Sequence, residues 1–201
     1  MGEAARRKAA EATWLATLDD QERILVRVAK GLSIVLPLDG ACYRASMFLK
    51  VFLEQEHGID ANVIIGFVND GTDELYASHA WLEFHGRPTD MTLCRPMSPE
   101  VQKRGQLVIH GRVIASGWSQ YSYHMHRPPE GLRIIHQMLA DPSIRLMVTE
   151  REELHLRMVA TAKSNALIRA YLDGAPDSLT YDCIAAAVRR GMSETFKQTS
   201  K

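Results

Sequence analysis

The sequence predicts an α+β fold, with helices first, a small antiparallel sheet in the middle and helices again at the end. Apolar residues recur at helical spacing before Pro37. Short β-rich runs separated by glycine-containing turns then occupy the middle of the chain. Helical patterns resume from Pro129 onward. This order is typical of an α+β domain, in which helices pack on one face or one end of an antiparallel sheet.

The composition is that of an ordinary globular protein of 201 residues, with 46% apolar and 24% charged residues. Basic and acidic side chains number 24 each, so we expect neither nucleic acid nor an anionic membrane surface as a partner. No apolar run approaches the roughly 20 residues that span a bilayer. The three cysteines cannot all pair and fit no zinc motif. We expect a cytoplasmic protein, and a homo-oligomer is compatible with the sequence.

The first three predicted helices have clear end signals. Residues 3–18 are rich in Ala, Arg, Lys and Glu, which favour a helix. Asp19 or Asp20 caps a second helix that runs to about Leu36. A third helix is predicted from Cys42 to His57, and it ends at Gly58.

The middle of the chain reads as strands joined by turns. Residues 62–68 form a short β-rich run, and Tyr76 to Phe84 alternates like a half-buried strand. His85-Gly86 is predicted to turn the chain, so that Arg87 to Leu93 returns alongside. Residues 106–115 look like a further hairpin.

The C-terminal part is predicted to be helical over about 130–140, 149–172 and 178–190. No internal repeat or low-complexity tract divides the chain. We therefore expect a single domain over residues 1–201, in which helical parts at 3–37 and 130–191 flank a core motif region at 39–93.

Cys42 is a candidate nucleophile because it is predicted to lie in the first turn of the third helix. Unpaired N–H groups and the positive end of the helix dipole surround such a position and favour a thiolate. The same amides can hold the negative oxygen of a tetrahedral intermediate. A free cysteine taken alone is more often a small buried hydrophobe, so Cys42 needs partners to count as a nucleophile.

His79 and Asp90 are predicted to meet across the hairpin. If His85-Gly86 is a two-residue loop, Trp81 lies opposite Asp90 and His79 opposite Thr92. Asp90 is then a diagonal neighbour of His79, within reach of a hydrogen bond. A slip of one residue would move Asp90 to the other face of the sheet.

Two alternatives stay open for this pair. A lone histidine on a strand is more often half-buried and bonded to backbone than catalytic. Glu83 shares the strand face of His79 and competes with Asp90 as the orienting carboxylate. Asp90 ranks higher because a partner on the adjacent strand can approach the imidazole in its plane.

These segments resemble the transglutaminase-like superfamily of papain-fold cysteine enzymes. Gly40-Ala41-Cys42-Tyr43 is similar to the G-x-C segment of that family, and Gly58-Ile59-Asp60-Ala61 to its G-I-x-A turn. His79-Ala80-Trp81-Leu82-Glu83 matches its H-A-W-x-E strand, and Asp90-Met91-Thr92 its D-x-T. The similarity to leader peptidases of lasso-peptide biosynthesis, which share a short His-to-Asp hairpin, is looser.

The resemblance implies Cys42 as nucleophile, His79 as general base and then acid, and Asp90 as the residue that orients His79. It implies a thiol hydrolase or acyltransferase that acts on an amide or acyl bond of a peptide or protein substrate, without cofactor or metal. Peptidase, deamidase and amine-transfer activities share every step up to the second acceptor, which is water or a small amine. Many members carry Trp after the cysteine, where this chain has Tyr43.

Three aromatic residues are candidates for substrate contact: Tyr43, Trp81 and Trp118. Trp118 belongs to an aromatic cluster with Tyr121 and Tyr123 that would either line a cleft or pack a loop over the sheet.

Two rival functions come from other classes. A non-catalytic binding or scaffold protein on the same fold would use the C-terminal helices as its working surface. A metal-dependent hydrolase would use His124 and His126, but the sequence offers no third ligand at convincing spacing.

Overall fold

The computed structural model describes residues 2–36, 39–99 and 102–199. The first part holds three helices: α1 (Glu3–Ala16), α2 (Asp20–Val35) and α3 (Cys42–His57). The middle holds the strands β1 (Asn62–Asn69), β2 (Ala77–Phe84), β3 (Arg87–Thr89), β4 (Leu107–Ile109), β5 (Arg112–Ala115) and β6 (Ser122–His124). The last part holds α4 (Pro129–Ala140), α5 (Arg145–Thr161), α6 (Asn165–Asp173) and α7 (Tyr181–Thr199). The predicted α+β class is confirmed.

Local signals fix the ends of the helices that build the site. Asp19 caps α2 through a reciprocal pair of bonds: its Oδ1 accepts from the Glu22 N–H at 2.8 Å, and its own N–H donates to Glu22 Oε2 at 3.0 Å. Gly58 ends α3 in the left-handed region, at φ +65°. The Ile59 N–H then bonds back to the Leu53 carbonyl at 3.1 Å, which closes the helix.

The main sheet is antiparallel and has the strand order β3-β2-β1-β6. A separate ribbon pairs β4 with β5. The main-chain bridge between Asp90 and Val108 connects the ribbon to the end of β3. Because β2 lies between β1 and β3, its residues have neighbours on both sides along part of its length.

One apolar core joins the sheet to helices from both ends of the chain. Phe48 of α3 packs against Phe52 at 5.4 Å and against Tyr181 of α7 at 5.3 Å, measured between ring centroids. Buried core residues come from α2, α3, β2 and the C-terminal helices, including Leu25, Leu32, Leu49, Leu82, Ile168, Leu172, Ile184 and Val188. The helices at the C-terminus are therefore part of the packing that supports α3.

The returning strand is shorter than predicted. The hairpin register runs from Phe84–Arg87 to Leu82–Thr89 and then stops, so the expected Trp81–Asp90 and His79–Thr92 pairs are not part of the ladder. The main chain of Asp90 bonds to that of Val108 in β4, with N–H to carbonyl distances of 2.8 and 2.9 Å.

The helix predicted over 149–172 is two helices, α5 and α6. The break falls at residues 162–164, where Ser164 adopts an extended conformation as the N-cap of α6. This turn lets Ile168 and Leu172 of α6 reach the core beside α3. The helix predicted over 178–190 begins at Tyr181, after a 3₁₀ turn at Asp177–Leu179, and continues to Thr199.

Candidate functional site

The loop before α3 places Cys42 at the first residue of the helix. Gly40 has φ +66° and its N–H donates to the Arg95 carbonyl at 3.0 Å. A Cβ atom at Gly40 would lie 2.8 Å from the side chain of Met97, so no other residue fits there. Ala41 is the N-cap and makes no side-chain capping bond. The first-turn N–H groups around Cys42 are thus not occupied by a capping side chain.

The β2–β3 hairpin brings Asp90 to His79. His85 and Gly86 both have positive φ, +50° and +68°, as the predicted two-residue turn requires. The His79 Nε2 and the Asp90 Oδ2 lie 2.7 Å apart. Both residues are buried, at 5% and 1% exposure, so little water competes for this contact.

The second oxygen of Asp90 is held by the turn that follows it. Asp90 Oδ1 accepts from the N–H groups of Thr92 at 3.0 Å and Leu93 at 3.3 Å, and from the Thr92 hydroxyl at 3.2 Å. Burial alone would raise the pKa of this carboxyl, but the charge and hydrogen bond of His79 and these N–H donors outweigh it and lower the pKa. Asp90 is therefore an ionised group fixed in one orientation.

Cys42 approaches the same imidazole. Its thiol is among the groups that raise the pKa of the His79 ring. Because Asp90 occupies Nε2, Nδ1 is the ring nitrogen left for the thiol. Burial by itself lowers the pKa of His79, but its contacts with Asp90 and Cys42 raise it to about 10. The pocket thus favours a protonated imidazole beside the Asp90 carboxylate.

One known family matches the first part of the chain. Residues 2–97 match the transglutaminase-like superfamily. The superfamily predicted from the motifs is therefore confirmed over this stretch, which contains Cys42, His79 and Asp90. No curated protein and no solved structure matches the chain.

Tyr123, outside the stretch that matches the transglutaminase-like superfamily, also contacts the carboxylate. Its hydroxyl donates to Asp90 Oδ2 at 3.1 Å, the same oxygen that His79 contacts. Strand β6 positions it by pairing Tyr123 with Val68 of β1. Sequence reasoning placed Tyr123 in an aromatic cluster, but no spacing rule connects it to a carboxylate 33 residues earlier.

The three aromatic residues predicted to contact substrate occupy different environments. Tyr43 is partly buried, and its hydroxyl lies 2.7 Å from the Ser78 Oγ. Trp81 is 3% exposed and packs edge-on against Tyr123, with ring centroids 5.0 Å apart. Trp118 is 89% exposed. A substrate-contact role for each of them stays a prediction.

Glu83, the competing carboxylate, is on β2, where it lies opposite Pro88 of β3 and Asn62 of β1. The carboxylate that contacts the His79 ring is that of Asp90.

Of the two histidines considered as metal ligands, His124 lies at the end of β6. His124 Nε2 is 2.8 Å from the Ser122 Oγ, and its ring packs edge-on against Tyr76. In the part of the chain that the structure describes, the side chains close enough to share a metal ion are those of Asp19, Glu22 and His85. In those same residues no helix combines the length and apolar character needed to cross a membrane.

Proposed function

We propose that this protein is a cysteine-nucleophile enzyme that acts on an amide or acyl bond of a peptide or protein. The observation that carries the proposal is the buried imidazole of His79, which bonds to Asp90 through Nε2 at 2.7 Å and whose pKa is also raised by the Cys42 thiol at the start of α3. A thiol, an imidazole and a carboxylate in contact form the set that nucleophilic acyl transfer requires. The family match over residues 2–97 supports cysteine-type peptidase or transferase chemistry.

In the proposed reaction, His79 holds the proton of the Cys42 thiol at Nδ1. The thiolate sulfur forms a bond to the acyl carbon, and the carbonyl electron pair moves to oxygen, which faces the N–H groups at the start of α3. When the tetrahedral intermediate collapses, the amide nitrogen leaves with the proton from His79, and a thioester on Cys42 remains. Water or an amine then attacks the thioester, with His79 accepting its proton, and the C–S bond breaks to release the acyl product and return the Cys42 thiolate.

Asp90 has an orienting role in this scheme. Its buried oxygens are fixed by the turn after β3, so the imidazole cannot rotate without losing the 2.7 Å contact. The carboxylate also stabilises the imidazolium that exists while Cys42 is ionised.

A labelling experiment tests the proposal. The intact protein is incubated with a peptidyl chloromethyl ketone and, separately, with a peptide that carries a diazoketone analogue of glutamine. We expect one covalent adduct at Cys42, identified by peptide mass spectrometry, and no adduct in folded Cys42→Ala. The preferred probe separates peptidase from glutamine-directed chemistry. If neither probe labels Cys42, the protein is a non-catalytic binding or scaffold protein and the proposal fails.

A further inference from the structure

Two consecutive hydrogen bonds, called here the hydrogen-bond chain, link three side chains from α3, the helix that carries Cys42, to the C-terminal part of the molecule. The Tyr43 hydroxyl lies 2.7 Å from the Ser78 Oγ, and the Ser78 Oγ lies 2.6 Å from His155 Nδ1. The chain thereby joins α3, β2 and α5. His155 lies outside the stretch that matches the superfamily, which ends at residue 97.

Two members of the hydrogen-bond chain are sequence neighbours of the reacting residues. Tyr43 directly follows Cys42, and Ser78 directly precedes His79. A displacement of Ser78 or Tyr43 therefore changes the distance between the sulfur and the ring. Catalytic contacts are sensitive to such displacements, and about 1 Å can cost about 100-fold in rate.

His155 is a rigid end point for the chain. Its residue is 9% exposed, and its ring stacks on Phe67 of β1 with centroids 4.5 Å apart. The guanidinium of Arg127 lies 4.3 Å from the same Phe67 ring and forms two hydrogen bonds to Glu152, at 2.7 and 2.8 Å. Glu152 precedes His155 by about one turn of α5, so these contacts fix the part of the helix that carries the imidazole.

One assignment of the hydrogens satisfies all three side chains. Burial raises the pKa of Tyr43 to about 12, so the phenol keeps its proton. Burial also lowers the pKa of His155, which favours the neutral ring. In the tautomer that carries its proton on Nε2, Tyr43 donates to Ser78, and Ser78 donates to His155 Nδ1.

We infer that His155 is a positioning residue. Through Ser78 and Tyr43 it maintains the distance between the Cys42 sulfur and the His79 ring. The inference rests on the proposed function of Cys42 and His79. It gives α5 a specific role, because this helix supplies the acceptor at the end of the chain.

The test compares three variants with the wild type: His155→Phe, His155→Asn and Ser78→Ala. Phe keeps the ring that stacks on Phe67 but removes the acceptor, whereas the side-chain oxygen of Asn can replace Nδ1 as the acceptor. His136→Phe, at an exposed position of α4, is the matched control. Circular dichroism establishes that each variant is folded. The readout is the rate of Cys42 alkylation by iodoacetamide between pH 5 and pH 9, followed by mass spectrometry.

We expect His155→Phe and Ser78→Ala each to slow alkylation at pH 6 about 10-fold and to move the acid limb of the pH profile upward. Combining the two changes should add little, because both break one chain. His155→Asn should recover most of the rate. A folded His155→Phe or Ser78→Ala with the wild-type pH profile would overturn this inference but leave the proposed function standing. If Cys42 of the wild type reacts no faster than Cys183, the proposed function fails and the inference falls with it.

Discussion

At the residue scale, the charge of Asp90 sets the state of the imidazole. Asp90→Asn keeps an oxygen for the N–H groups of Thr92 and Leu93 but removes the negative charge beside His79. Because that charge helps to raise the pKa of His79 to about 10, we expect the pKa to fall in this variant. Titration of the His79 ring by NMR measures the change.

Tyr123→Phe is the matched control for this titration. It removes only the hydroxyl that donates to Asp90 Oδ2 and keeps the ring beside Trp81. The carboxylate charge remains, so the pKa of His79 should stay raised. An Asp90→Asn protein whose His79 titrates like that of the wild type would show that Asp90 does not control the imidazole.

The contact of His79 with Asp90 was predictable because one local feature determines it. The His85-Gly86 turn sets the hairpin register as far as Leu82–Thr89, and Asp90, the next residue, then contacts the His79 ring. Tyr123 was not predictable as a partner of Asp90. Its position depends on β6 pairing with β1, a long-range contact that leaves no spacing signal in the sequence.

At the element scale, the absence of a side chain at Gly66 lets β1 pack closely against both β2 and β6. A Cβ atom there would lie 2.5 Å from the His124 carbonyl oxygen and 2.8 Å from the Trp81 ring. We expect Gly66→Ala to lower the free energy of unfolding by about 1–3 kcal/mol, because the added methyl overpacks the sheet.

Gly31→Ala is the control, since a Cβ at this α2 position meets only ordinary contacts at 3.8 Å from Met192 and Val188. Alanine favours the helix, so this change should raise stability by about 0.4–1 kcal/mol. Urea denaturation measures both. Equal stability of the two variants would mean that β1 and β6 do not approach as closely as the structure indicates.

The Glu22 carboxylate of α2 contacts a histidine in each of two hairpin turns. Its Oε1 lies 2.9 Å from His110 Nε2 and 3.4 Å from His85 Nδ1. Burial opposes ionisation, but the Asp19 N–H and the two histidines lower the pKa of Glu22 from 4.5 to about 2. A lowered carboxyl pKa contributes stability that is present above the unfolded value and is lost as pH falls through the folded value.

Glu22→Gln should therefore cost most stability above pH 4.5, and its deficit relative to the wild type should shrink between pH 4.5 and about pH 2. Urea denaturation across this range provides the measurement, with the exposed Glu153→Gln of α5 as the reference variant. A deficit that is constant with pH would contradict the role assigned to this carboxylate.

The sequence predicted the bounds of α3 because the loop glycine Gly40 precedes its start and Gly58 follows its end. It missed the break between α5 and α6, since the helical pattern there continues through residues 162–164 without Gly or Pro. Packing of Ile168 and Leu172 against the core decides that break, and local propensity does not report such long-range packing.

At the scale of the whole molecule, we propose that the N-terminal and C-terminal helices and the sheet form one cooperative unit. Val188 of α7 and Leu32 of α2 belong to the same buried core, together with Phe48 of α3. Far-UV circular dichroism, which reports the helices, and fluorescence of a Trp14→Phe, Trp118→Phe variant, in which the buried Trp81 of the sheet is the remaining tryptophan, should give coincident urea transitions. Two separated transitions would show that the C-terminal helices unfold independently.

This architecture surrounds a nearly closed site, in which Cys42 is 9% exposed and His79 5%. The stretch that matches the superfamily carries the thiol, the ring and the carboxylate, whereas Tyr123 and His155 come from beyond it. We therefore expect activity to require the C-terminal part as well as the matched stretch.

Site-resolved alkylation at pH 6 tests the central claim most directly. Iodoacetamide should modify Cys42 rapidly in the wild type and at least about 10-fold more slowly in His79→Ala, because the thiolate needs the imidazolium beside it. Burial and the Asp90 charge raise the pKa of the Cys94 thiol, and exposed Cys183 serves as the internal reference. Equal, slow modification of all three cysteines, unchanged in His79→Ala, would contradict the account.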